Sequence, residues 1–194
     1  MKNRKLRWWK IIIGGSGGQG IVTIGKILAH AGAERGLNVT FLPAYGAEMR
    51  GGYVYGMISF STRELFSPII SRAEFGVFMN EMSLQMLRQY FNENAWILWN
   101  SSLINPEKEH RTKSIGIPAS ELAEKLGDIR IANMIMLGGL AKILESEGFP
   151  AKEKDFKNGI KEIIGDDKKS LNNRALLEGI RIVEQVMQNV RPVI

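Results

Sequence analysis

Lys10 to Ile13 form a short apolar run that stops at glycines, and from Ile21 onward apolar residues return at Ile24, Ile27, Leu28 and Ala31, the spacing that lines one face of a helix. The pattern predicts a strand, a glycine turn and a helix in that order. Gly36 ends the helix, and NVTFL supplies a second strand. After the loop PAYGAEMRGG, the β-branched, aromatic and small residues of YVYGMISFS predict a third strand, with Gly56 read as a bulge. EFGVFMN, a helix from Glu81 to Tyr90, and AWILWN continue the alternation, and TKSIGIP is a further strand candidate interrupted by Gly116 and Pro118. Ser120 is read as the N-cap of the next helix, with Glu121 in its first turn.

The last third reads as helical. Leu137, Leu140, Ala141 and Leu144 form one stripe, and Leu176, Ile180, Val183 and Met187 another. Between them KEKDFKNGIKEIIGDDKK alternates its charges in sign, the pattern of a surface helix and a turn. The expected fold class is α/β: a Rossmann-like, mostly parallel sheet with helices on both faces and a helical C-terminal part. The expected organisation is a basic N-terminal arm over residues 1–9 and a single α/β domain over residues 10–194, with the helical elaboration from about residue 120 onward.

Composition narrows the chemistry. A chain of 194 residues with 44% hydrophobic content can bury one good core. It has no apolar run near membrane-spanning length, and its basic start leads into three isoleucines and then glycines, unlike a secretory leader. A soluble, cytoplasmic protein without a membrane partner is expected. The absence of cysteine removes disulfides, thiolate zinc sites, cysteine nucleophiles and cysteine-held iron–sulfur clusters, and His30 and His110 form no metal-binding pair, so no metal site is expected. The net charge of +6 belongs to the arm: residues 1–10 hold Lys2, Arg4, Lys5, Arg7 and Lys10, leaving 21 basic against 20 acidic groups elsewhere. A solvated tail is the plainer reading than a nucleic-acid arm, and Trp8 and Trp9 are candidates to anchor it.

Five glycines crowd into seven positions behind the first strand, in GGSGGQG. Gly15, Gly17 and Gly20 satisfy the dinucleotide spacing between a strand and a helix. That fingerprint also needs an acidic residue about twenty positions on to hold the ribose, but the second strand ends TFLPAY and no Asp occurs before residue 128. NAD binding is disfavoured. Gly20, Gly25 and Lys26 echo a phosphate-binding loop, yet Ile27 stands where Ser or Thr should and the enclosed residues are the helix's own apolar face. What remains is a helix start with glycines that let another group come close, either an anion or the edge of another polypeptide.

The loop PAYGAEMRGG, residues 43–52, carries Tyr45, Glu48 and Arg50 among three glycines. Together with GSGGQG it resembles the γ subunit of the 2-oxoacid:ferredoxin oxidoreductases, in which a GxGGQG turn is followed by a P-x-YG-x-E-x-RGG loop. The resemblance extends through GKILAHAG and more weakly to ANMIMLGGL. It implies a subunit of an enzyme that oxidatively decarboxylates a 2-oxoacid with coenzyme A to acyl-CoA, CO2 and reduced ferredoxin. The complex is expected to use thiamine diphosphate, magnesium, iron–sulfur clusters and coenzyme A, with none of them held by this chain alone. Alpha, beta and ferredoxin-like delta subunits are the implied partners, ferredoxin the acceptor, and a chain made alone is free to cover the same surface by pairing with itself as a homodimer. The EMRGG form of the loop is similar to the 2-oxoglutarate and branched-chain members, and 2-oxoglutarate ranks first.

On this reading the isolated chain is inactive and carries no catalytic residue. Gly15, Gly17, Gly18, Gln19 and Gly20 form one lip of a docking or cofactor-binding surface, and Tyr45, Gly46, Glu48, Arg50, Gly51 and Gly52 the other. Both lips are expected at the carboxyl ends of the strands. Arg50, with its planar fork, is the preferred anion contact, and Glu48 is read as its salt-bridge partner. Trp8, Trp9, Met49, Tyr53 and Tyr55 are the candidates for exposed apolar surface. The competing reading is a stand-alone module that binds a nucleotide or coenzyme A at the glycine turn.

Overall fold

The computed structural model describes residues 6–46, 52–65, 67–105 and 113–189. Six strands form one sheet in the order β2-β3-β1-β4-β5-β6. They are β1 (Trp8–Ser16), β2 (Asn38–Tyr45), β3 (Tyr53–Ser61), β4 (Ala73–Phe78), β5 (Phe91–Asn100) and β6 (Ser114–Ile117). Since β3 is antiparallel to both β1 and β2, while β4, β5 and β6 follow β1 in parallel, five strands share one direction and β3 alone opposes it. The mostly parallel sheet expected from the alternation is therefore present, with an antiparallel hairpin at one side.

β1 lies in the interior of the sheet and is covered on both faces, which explains why Ile11, Ile12 and Ile13 are consecutive and all fully buried. Ile11 and Ile13 face a large core with Ile58, Phe60, Phe75 and Val77. This layer is covered by α1 (Ile21–Glu34), α3 (Ala119–Leu126), α4 (Ala132–Ser146), α5 (Glu153–Ile164) and α6 (Lys169–Asn189). Ile12 faces a smaller core with Met57, Phe78 and Ile97, closed by Leu84 and Leu87 of α2 (Glu81–Leu87). Helices cover both faces, unequally.

α1 buries Ile21, Ile24, Ile27, Leu28 and Ala31, the predicted face. Its C-terminus is tied to α5 by Arg35, which donates to both Asp155 carboxylate oxygens at 2.7 and 2.9 Å. α4 is buried on nearly every side, and α6 lies against it so closely that a Cβ on Gly138 would meet the Leu176 carbonyl and one on Gly179 the Ile135 carbonyl. Small residues set that approach.

Three local expectations change. The strand pairings run unbroken through Gly56, whose role is to receive the Phe41 ring: a Cβ there would lie 2.9 Å from Phe41 Cε2. The irregular register falls instead between Ala73 and Phe75, opposite Phe91 and Trp96. Ser120 is not the cap of α3. Pro118 holds that position, and Ser120 accepts from the buried Asn100 side chain at 2.8 Å. β1 also starts at Trp8, before the predicted Lys10, because Trp8 and Trp9 pair with Ser61 and Phe60. No helix among the described residues is long and apolar enough to cross a membrane.

Candidate functional site

The carboxyl ends of β1 and β4 meet where the fold changes face. α1 leaves β1 to cover one side of the sheet, and α2 leaves β4 to cover the other. Such a switch opens a crevice between the two loops, the place where open α/β sheets bind ligands. Here the crevice is bridged by protein: Met79 N–H donates to the Gly14 carbonyl at 2.9 Å, and Asn80 reaches across to Ser16 and Gln19.

The glycine turn follows directly. The Gln19 N–H donates to the Ser16 carbonyl at 3.1 Å, while the Gln19 side-chain oxygen accepts from the Ser16 N–H at 2.7 Å. Two glycines are required by conformation, Gly18 at φ 90° and Gly20 at φ 72°. Around Gly18 the space is open, whereas a Cβ on Gly20 would run into the Asn133 amide of α4. Gly15 is a packing glycine, since a Cβ there would lie 2.7 Å from Ile21 and 2.9 Å from the Gln19 oxygen. Gly17 and Gly18 are exposed, and Ser16, Gln19 and Gly20 half-buried.

The second lip is the β2–β3 hairpin. Tyr45, Val54 and Gly15 stand in one row across three strands. Gly46 N–H donates to the Tyr53 carbonyl at 2.6 Å, and Gly17 N–H donates to the Gly52 carbonyl at 2.9 Å. The two predicted segments are thus hydrogen-bonded to each other. The structure brings Gly15, Gly17, Gly18, Gln19 and Gly20 together with Tyr45, Gly46 and Gly52, while Glu48, Met49, Arg50 and Gly51 lie outside the described residues.

Chemically the crest is a hydrogen-bonding surface. Burial, then the neighbouring Tyr55 and Tyr90, hold the Tyr53 hydroxyl above the usual tyrosine range, so it stays protonated at neutral pH. Among the described residues no group of three His, Cys, Asp or Glu side chains could hold a metal ion. With no cysteine in the sequence, the chain also has no thiolate for an iron–sulfur cluster. Apolar groups reach the surface nearby: Tyr45 is 66% exposed, and Met82 and Met86 of α2 about half. Trp9, an expected surface group, is buried, while Tyr53 and Tyr55 are half-buried.

Asn80 and Asn133 are the residues the sequence reading missed. Asn80 caps α2, accepting from Ser83 N–H at 2.9 Å, and an Asn directly before Glu81 at a strand–helix junction is a legible cap. Asn133 is a lone polar residue in the apolar run ANMIMLGGL. Its burial against the turn was legible only as an oddity.

Comparison with known proteins places this architecture in context. The family model described as pyruvate ferredoxin/flavodoxin oxidoreductase matches residues 10–182. The ketoisovalerate oxidoreductase subunit VorA of Methanothermobacter marburgensis is 31% identical over 144 residues, which is 72% of this chain and 30% of that one. The 2-oxoglutarate synthase subunit KorC of Archaeoglobus fulgidus is 30% identical over 135 residues, 69% of this chain and 70% of its own. Among solved structures, the 2-oxoglutarate:ferredoxin oxidoreductase from Magnetococcus marinus, with 2-oxoglutarate, coenzyme A and succinyl-CoA bound, superposes with a TM-score of 0.81. It is 21% identical, and the match covers 94% of this chain and 32% of that one. The chain therefore spans about a third of the length of VorA and of the Magnetococcus chain.

Proposed function

The chain belongs to the pyruvate ferredoxin/flavodoxin oxidoreductase family, and from that premise we propose that it is the γ-type subunit of a 2-oxoacid:ferredoxin oxidoreductase. The complex would convert a 2-oxoacid and coenzyme A to acyl-CoA and CO2 and pass the electrons to ferredoxin. This chain would dock on the subunits that hold thiamine diphosphate and magnesium, and cysteine-bearing partners would carry the clusters. 2-Oxoglutarate ranks first as substrate, followed by ketoisovalerate, the two acids after which the relatives are named.

The observation that carries the reading is the Gly17–Gly52 hydrogen bond. It joins both family motifs into one crest at the carboxyl edge of the sheet, and the described part of that crest offers hydrogen bonds and close approach without an acid–base pair. Gly17 and Gly18 are exposed, and the open space around Gly18 leaves room for a coenzyme or a partner backbone to come within contact distance. Relatives named as oxidoreductase subunits give no support to a stand-alone binding module.

The test is purification from the native source with identification of what co-elutes. A thiamine-dependent partner is the expected outcome, and recovery of the chain alone would sink the proposal. In a reconstituted complex, Arg50→Ala should lower assembly or acyl-CoA formation by about tenfold or more, the loss expected for a charged hydrogen-bonded contact. Unchanged assembly and turnover would remove Arg50 from the site.

A further inference from the structure

We propose that Asn80 is a positioning residue that locks the Gln19 side-chain amide with its oxygen inward and its NH2 outward, making Gln19 a fixed hydrogen-bond donor to an acceptor oxygen of the docking subunit. Two backbone groups that can only donate set this polarity. The N–H of the buried Ser83 must find an acceptor, and Asn80 Oδ1 receives it at 2.9 Å. Asn80 Nδ2 is thereby turned the other way, where it donates to Ser16 Oγ at 2.7 Å and to Gln19 Oε1 at 2.9 Å. The Ser16 N–H also converges on Gln19 Oε1, at 2.7 Å.

Reversing Gln19 would set its NH2 against the Ser16 N–H and the Asn80 NH2, and reversing Asn80 would set donor against donor at Ser83 and acceptor against acceptor at Gln19, while the Ser16 hydroxyl adapts to either. Gln19 Oε1 is thus committed to two inward bonds, and its Nε2 meets no acceptor among the described residues. Gln19 is half-buried beside exposed Gly17 and Gly18, so the outward N–H pair, unbonded among the described residues, belongs to the crest. The residue type at position 80 follows from the same relay. Asp would cap α2 equally well, but only Asn combines an acceptor for Ser83 with donors long enough to reach Ser16 and Gln19.

The contact half of this inference rests on the subunit reading above; the polarity half does not, and the two are tested apart. In the free, 15N-labelled chain the Asn80 side-chain amide should exchange slowly with water and the Gln19 amide as fast as an exposed one. Asn80→Asp, which keeps the cap, should shift the Gln19 amide resonances. Equal protection of both amides, or Gln19 resonances indifferent to Asn80→Asp, would overturn the locked polarity.

In the assembled complex, Gln19→Glu keeps an inward acceptor and replaces the outward donor with an acceptor. It should weaken binding to the partner subunits by about tenfold, with a melting temperature within about 2 °C of the parent. Undiminished binding by Gln19→Glu would overturn the contact. So would undiminished binding with a raised KM for coenzyme A, which would hand the acceptor oxygen to the coenzyme. If the unaltered chain binds no such subunit, the contact and the subunit reading both fall, while the exchange measurement still decides the amide's orientation.

Discussion

Gly18 and Gly20 are both left-handed, yet they should respond differently to a methyl group. At Gly18 the space is open, so Gly18→Ala meets only the backbone penalty, about 1 kcal/mol. At Gly20 the same change also displaces Asn133, and the expected loss in urea denaturation is about 2–3 kcal/mol. Adding Asn133→Ala should recover part of that difference, because only the collision is relieved. Asp155 offers a second measurement. Its buried carboxylate accepts from Arg35 twice and from the Lys152 N–H at 2.6 Å. Asp155→Ala should cost about 3 kcal/mol, the lower end for a broken buried pair because Arg35 keeps contact with water. The sequence showed the glycines and the helical charge pattern. It gave no hint that Asp155 pairs with Arg35, because that contact exists only once α5 has packed on α1.

Periodicity revealed the elements better than their spacing. The stripe through Leu137, Leu140, Ala141 and Leu144 correctly marked α4, but the glycines at 138 and 179 reveal themselves only across the α4–α6 contact. Gly138→Ala and Gly179→Ala should each gain about 1 kcal/mol of helix propensity and lose more by forcing the helices apart. A net destabilisation of about 2 kcal/mol in chemical denaturation is expected for each. Gly56 teaches the same lesson, since a glycine within a strand reads as a bulge until the ring of Phe41 is seen above it. The outer seam of α4 with α5 and α6 is electrostatic: Lys142 bonds Glu184 at 2.9 Å, and Lys152 bonds Glu145 at 3.0 Å. The Lys152 hydrogen bond holds the Glu145 carboxyl below its ordinary value of 4.5. Its contribution is therefore complete above that pH and lost as pH falls through the lower folded value. The melting-temperature gap between the parent and Glu145→Gln should be widest near neutrality and close under acid.

At the scale of the whole molecule, the segment read as an arm is partly structural. Trp9 is 3% exposed and meets Phe149 edge-on at 5.3 Å, and Phe149 meets Phe60 at 4.9 Å. This chain of rings joins β1, β3 and the α4–α5 connection. Trp9→Ala should cost about 3–5 kcal/mol by thermal or chemical denaturation, far more than a terminal residue would suggest. The charge count placed Trp8 and Trp9 in an arm because positions 1–10 hold five basic residues and no acid, and local pattern cannot see that a distant phenylalanine waits for the indole. The strand order has a consequence for biosynthesis. β1 is completed first, yet the strands that flank it end only at Ser61 and Phe78. A ribosome therefore releases three consecutive isoleucines well before either neighbour exists to pair with them. Long-range pairings of this kind slow folding, and an unpaired apolar strand is a target for holding chaperones and for aggregation. The strand made first waits longest for its partners.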